Sequence, residues 1–210
     1  MQLLTEYGPF FAISLHSDLP PEPWRPLAEL PGSAELVDWI GRVQAGLGCD
    51  RRVAASVGQL GLAARLICPV LAAAARHHVL LDLGTGYWQP PLSSTVALSL
   101  SQPVQPAEPA ALARLVSDGP LAELTDSIGR LGAVSGRVLA GNLASAVNGA
   151  ALQLGPTCYS MAAALLAGIP SEPDQPGPAF RRRSCCLRYR IAGAGYCGDC
   201  VLDRPVITKS

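Results

Sequence analysis

The chain has 210 residues, 49% of them apolar and 15% charged, with 16 basic side chains against 16 acidic ones. That is enough apolar material to bury a core without disulfide staples. A formal charge of zero excludes the global basic field that gathers nucleic acid or an anionic membrane, so no nucleic-acid partner is expected.

The opening Met-Gln-Leu-Leu-Thr-Glu lacks the positive start and long apolar run of a secretory signal, so the expected location is cytoplasmic. Residues 17–32 carry Pro20, Pro21, Pro23, Pro26 and Pro31, which predicts an irregular lead-in. From Ser33, a cap, the positions Leu36, Val37, Ile40, Val43 and Leu47 recur at helical spacing, and Gly48 is the stop. Residues 51–77 continue as an alanine-rich helix that Pro69 is expected to kink or split.

Val79–Leu83 and Thr95–Leu100 are runs of strand type, read together as a two-stranded antiparallel ribbon around 79–101 with Trp88 in its loop. A short helix over 110–117 ends near Gly119-Pro120. Beyond Leu121, the positions Leu124, Ile128, Leu131, Val134 and Val138 form one stripe, and extending it places Asn142, Ser145 and Gly149 on an apolar face. Two readings suit Asn142 and Ser145: backbone bonds across a close helix contact, or a place beside a functional centre. A last helix over 157–167 ends at Gly168.

Neither apolar stretch, 60–75 nor 150–168, reads as a spanning helix. Arg65 and Pro69 interrupt the first, and Gln153, Pro156 and Thr157 the second, leaving runs short of the ~20 residues required. Peripheral membrane contact stays open. The expected class is α+β and mainly α-helical, in one compact domain: a helical body over 1–168, a proline-rich linker over 169–180 and a cysteine-rich segment over 181–204.

Four of the seven cysteines, Cys185, Cys186, Cys197 and Cys200, fall in that segment. Cys197-Gly-Asp-Cys200 is a turn that aims two sulfurs at one point, whereas the neighbours Cys185 and Cys186 point apart and suit two metal centres better than one. Gly193 and Gly195 let the chain reverse between the pairs. Four thiolates suit zinc, a [2Fe-2S] cluster or a disulfide knot, and a reducing compartment weighs against the last. Cys49, Cys68 and Cys158 stand singly in apolar surroundings and read as small buried hydrophobes.

The pattern C-C-x10-C-x2-C, preceded by a basic run and followed by Val-Leu, resembles the C-terminal signature of the FhuF-like ferric siderophore reductases. Gly141-Asn142-x-x-Ser145 resembles a helix upstream of the cluster in that family. The resemblance implies a [2Fe-2S] cluster on Cys185, Cys186, Cys197 and Cys200, no catalytic side chain beyond it, and a ferric siderophore, of hydroxamate type, as substrate. No dinucleotide site is evident, since Gly193-x-Gly195-x-x-Gly198 opens no strand-helix-strand unit, so electrons come from an external donor such as a ferredoxin. Arg181, Arg182, Arg183, Arg188 and Arg190 form a basic rim for substrate or partner, with Asn142 and Ser145 beside it. Trp24, Trp39, Trp88 and Tyr196 are pocket candidates as well as packing residues.

Two rival readings differ in class. In one, zinc merely folds the tail of a binding module. In the other, Val79-Leu-Leu-Asp82-Leu-Gly84-Thr-Gly86 is the glycine-rich motif of an S-adenosylmethionine-dependent methyltransferase, but Tyr87 to Pro91 block the helix that should follow. His16, His77 and His78 show no metal spacing and read as surface or strand-edge residues.

Overall fold

The computed structural model describes residues 2–103 and 105–202. Residues 203 and 204 of the expected cysteine segment lie outside them. The core is built on one helix. α1, Ala34–Leu47, starts at Ser33, whose hydroxyl accepts from Leu36 N, and ends at Gly48 in the left-handed region (φ 57°). α2, Arg51–His77, is capped by the Asp50 carboxylate on Val53 N at 2.9 Å. From Val53 to Ala74 it is buried almost all round, because small alanines let neighbours close on every face.

Pro69 does not split α2, which runs on as one helix to His77. Packing on all sides supplies what the missing amide cannot. The helix is therefore long and apolar enough to cross a membrane, contrary to the sequence expectation, but 78% of its apolar stretch is buried inside the fold.

Around α2 lie α3 (Pro109–Ser117), α4 (Gly119–Gly132), α5 (Gly136–Leu154) and α6 (Tyr159–Ala167). The stripe that the sequence runs through Val134 is broken: Ala133 turns left-handed (φ 49°), Ser135 starts a new helix, and the buried positions divide between α4 and α5. Gly132 allows α4 to touch α2, since a Cβ there would sit 2.2 Å from that of Ala55.

The strands are β1 (Gln2–Leu3), β2 (Ile13–His16), β3 (Arg25–Pro26), β4 (Val79–Leu80), β5 (Tyr87–Gln89), β6 (Ala97–Ser101) and β7 (Gln105–Pro106). Five of them make a mixed sheet in the order β1-β2-β6-β5-β3, with β2 and β6 parallel, Ser14 opposite Ser99. The expected ribbon of 79–83 with 95–100 does not form. β6 is central, its edges taken by β2 and β5, and β4 pairs with β7 instead. Trp88 belongs to β5 and is fully buried, not a loop residue. Arg65 joins sheet to helix: its guanidinium donates to the carbonyls of Val96, Phe10 and Ala12 at 2.8, 3.0 and 2.5 Å.

The proline-rich stretch after α6 is no free linker. Ile169 and Phe180 enter the core, Glu172 is buried, and Gly177 N donates to Asn148 Oδ1 on α5 at 2.7 Å. It straps the cysteine segment to the face formed by α2 and α5.

Candidate metal centre

The cysteine segment has little regular structure of its own. Leu187, Gly193 and Gly195 all take positive φ (66°, 74° and 64°), and a single 3-10 turn spans Arg188–Arg190, so the chain doubles back. Arg182 N donates to Asp199 O at 3.2 Å and closes the loop at its base, while Cys200 N donates to Cys197 O at 3.1 Å and closes the second turn.

The reversal brings the sulfurs together. Cys186 and Cys197 sulfurs lie 3.6 Å apart, and Cys185 is close enough to Cys186 and Cys200 for both to raise its pKa, after the larger effect of burial. Cys186 and Cys200 are buried, and Cys185 and Cys197 are half-buried on the outer side. Leu187 N points at Cys185 Sγ (3.3 Å) and Leu202 N at Cys200 Sγ (3.4 Å), the backbone donors that a thiolate in a metal centre needs. Cys197 holds the Cys186 thiol down, to about 5, by hydrogen bonding, with Arg182 assisting against burial; the same bond pushes Cys197 up.

α5 reads this segment residue by residue. Gly141 leaves room for Ser184, whose Oγ would lie 2.0 Å from a Cβ at 141. Asn142, fully buried, donates through Nδ2 to Ser56 O and Oγ on α2 (2.9 and 3.1 Å) and accepts at Oδ1 from Arg182 Nη2 (2.7 Å). Ser56 Oγ donates to Cys186 O at 2.8 Å. Ser145 Oγ donates to Asp199 Oδ2 at 2.5 Å, inside the second cysteine turn. Asn142 makes the backbone bond across a close helix contact, to Ser56 O on α2, whereas the Ser145 side chain bonds no backbone group among the described residues and reaches the cysteine loop instead. Gly149 has no part in it and faces solvent.

The basic rim needs correcting. Arg182 is 1% exposed and Asn142 is enclosed, so neither can receive a substrate or partner at the surface. In an extended stretch alternate residues face inward, which buries Arg182 between exposed Arg181 and Arg183. Arg181 donates to Phe180 O (2.8 Å), Arg183 to Ser171 O (3.3 Å) and Arg188 to Tyr196 O (3.2 Å), and Arg190 pairs with Asp50 at 3.0 Å. All four of these are exposed.

The aromatic candidates make no common pocket. Trp39 and Trp88 are core, Trp24 lines a cavity with Arg65 under the sheet, and Tyr196 stands exposed beside Tyr189, ring centroids 6.5 Å apart. His16 bonds to Ser99 in the sheet, and His77 and His78 end α2 in solvent. Asp82 caps Gly84 N at 2.8 Å and strand β5 follows, so the methyltransferase motif lacks its helix.

Ser56, Asp199, Glu172 and Ser184 were not singled out by the sequence. Only Asp199 carried a signal, its position between two candidate ligands.

The residues fit a thiolate-bound cluster. The donors are four cysteines of one loop, two buried and two half-buried, backbone amides face two of the sulfurs, and Arg182 is buried at the base of the same loop with two donors unpartnered. Among the described residues, no three His, Cys, Asp or Glu groups converge on one ion. What converges is a neighbouring pair, Cys186 and Cys197, with Cys185 beside Cys200. Four thiols in one loop, with backbone amides at two of the sulfurs, suit a cysteinyl centre of iron–sulfur type. Residues 182–202 match the family model of the FhuF 2Fe-2S C-terminal domain, which points to a [2Fe-2S] cluster, and Cys185, Cys186, Cys197 and Cys200 lie within the matched stretch. No curated protein matches the chain.

Proposed function

We propose that this protein is a ferric siderophore reductase. The observation that carries the reading is the cysteine loop itself: it matches a FhuF-type [2Fe-2S] domain and keeps Cys185 and Cys197 on its outer side, within reach of a redox partner. When bound, the cluster supplies single electrons. The chain's residues do the rest. Cys185, Cys186, Cys197 and Cys200 hold it, α2 and α5 fix the loop through Ser56, Asn142 and Ser145, and Arg182 offsets its charge from within.

Ferric iron bound by hard oxygen ligands is a compact, highly charged ion. Gaining one electron makes it Fe(II), which those ligands hold far less tightly, so reduction alone releases the metal. No proton transfer or covalent step by a side chain is needed. A ferric complex of hydroxamate type is the proposed substrate, and a diffusible acidic protein such as a ferredoxin the proposed electron donor. Exposed Arg181, Arg183, Arg188 and Arg190 carry the charge that would attract it. A reducing cytoplasm would suit the free thiols.

The test is a single-turnover reaction. Chemically reduced protein is mixed anaerobically with a ferric hydroxamate complex, and Fe(II) is trapped by a ferrous chelator. Wild type should deliver its electron and Cys197→Ser should not; equal rates would remove the cysteine centre from the reaction.

A further inference from the structure

Arg182 is the one rim arginine the sequence placed wrongly, and its position demands compensation. At 1% exposure it has no carboxylate partner among the described residues. Nη2 is taken by Asn142, whereas Nε and Nη1 have no partner at hydrogen-bond geometry. Burying a permanent cation with idle donors is strongly unfavourable unless an opposite charge lies beside it. Arg182 is tied into the cysteine loop at two points: its backbone amide donates to Asp199 O, between Cys197 and Cys200, and its side chain is linked through Asn142 and Ser56 to the carbonyl of Cys186.

The orientation is fixed from the far side. Asn142 Nδ2 is committed to Ser56, so its Oδ1 must face Arg182 and take Nη2. That turns the Nε and Nη1 edge away from Asn142. Ser56 closes the circuit by donating to the carbonyl of Cys186. Cys186 is thereby held at its carbonyl by α2, in the same hydrogen-bonded network through which α5 aims the buried arginine.

We propose that Arg182 is a positioning residue for electron transfer: its buried guanidinium, aimed by Asn142, neutralises part of the charge of the thiolate-bound cluster and raises its reduction potential. This rests on the [2Fe-2S] reading above. Four thiolates, two ferric ions and two sulfides carry a double negative charge, and reduction adds a third. A fixed cation in a low-dielectric site favours the more negative state, and donors to cluster sulfurs act in the same direction. The exposed arginines are screened by water and contribute less.

The experiment is a potentiometric titration, followed by visible absorption, of cluster-loaded wild type, Arg182→Gln and Arg182→Lys. Arg182→Gln should bind less cluster, and the cluster it binds should be harder to reduce by at least tenfold in the one-electron equilibrium, about 59 mV. Arg182→Lys, which keeps the charge, should recover most of both. A glutamine variant matching wild type in loading and potential would overturn the proposal, as would loss of the cluster from both variants with the fold retained. Wild-type protein without iron would instead overturn the [2Fe-2S] reading, and this proposal with it.

Discussion

Ser145 on α5 donates its hydroxyl to the Asp199 carboxylate at 2.5 Å, joining α5 to the turn between Cys197 and Cys200. Asp199 also accepts Arg182 N at its backbone carbonyl. One aspartate therefore ties the two limbs of the cysteine loop to each other through its backbone and to α5 through its side chain. Hydrogen bonds to a charged group contribute about 1.5–3 kcal/mol. Ser145→Ala should retain the fold and release the cluster to a chelator about tenfold faster; an unchanged release rate would show the bond to be idle.

Two glycines of α5 should respond oppositely to alanine. At Gly141 a Cβ would meet Ser184 Oγ at 2.0 Å and Glu172 Oε1 at 3.3 Å, both in buried residues. Gly141→Ala should cost about 1–3 kcal/mol and weaken cluster retention. At Gly149 a Cβ would meet nothing within 4 Å. Gly149→Ala should leave the centre intact and stabilise the protein by up to about 1 kcal/mol. Denaturant midpoints for both variants check the contrast.

Arg65 should be essential to the junction of sheet and helix. Its three donors serve three carbonyls that no other described group bonds through a side chain. Arg65→Met keeps the apolar stem but strands those acceptors, at about 1–3 kcal/mol each where they stay dry. Loss of several kcal/mol in urea unfolding is expected, with the sheet bands affected in the infrared spectrum; a loss below about 1 kcal/mol would contradict the assignment.

The isolated cysteines predict an alkaline limit. Burial pushes the Cys68 thiol up to about 12 from its ordinary 9.0, and raises Cys158 as well. Because the folded value exceeds the unfolded one, the thiol form contributes stability fully below pH 9, and that contribution is lost as pH rises from about 9 toward 12. The denaturant midpoint should fall across this window, and Cys68→Ala should flatten the fall. Below pH 9 neither thiol should react with a maleimide in the folded protein.

The parts of the fold legible in the sequence were those set by local chemistry. Ser33 and Gly48 bound α1, Gly168 ends α6, and four clustered cysteines announce the centre. The sheet was hidden because β2 pairs with β6 across most of the body, a contact no local pattern encodes, and because β3 lies within the proline-rich lead-in. Asn142 and Ser145 stood out as polar residues on an apolar stripe, although the stripe crosses the break at Ala133. Arg182 did not, since five arginines near the cysteines look alike until the chain direction at each is known. Asp199 and Ser56 acquire their roles only when α5 and α2 meet the loop.

The most direct test of the account is the metal content and visible spectrum of the protein purified without oxygen. The account predicts about two irons and two sulfides per chain, a red-brown colour, and absorption that bleaches on reduction and is lost in Cys186→Ser. A colourless, folded protein holding zinc or no metal would contradict it.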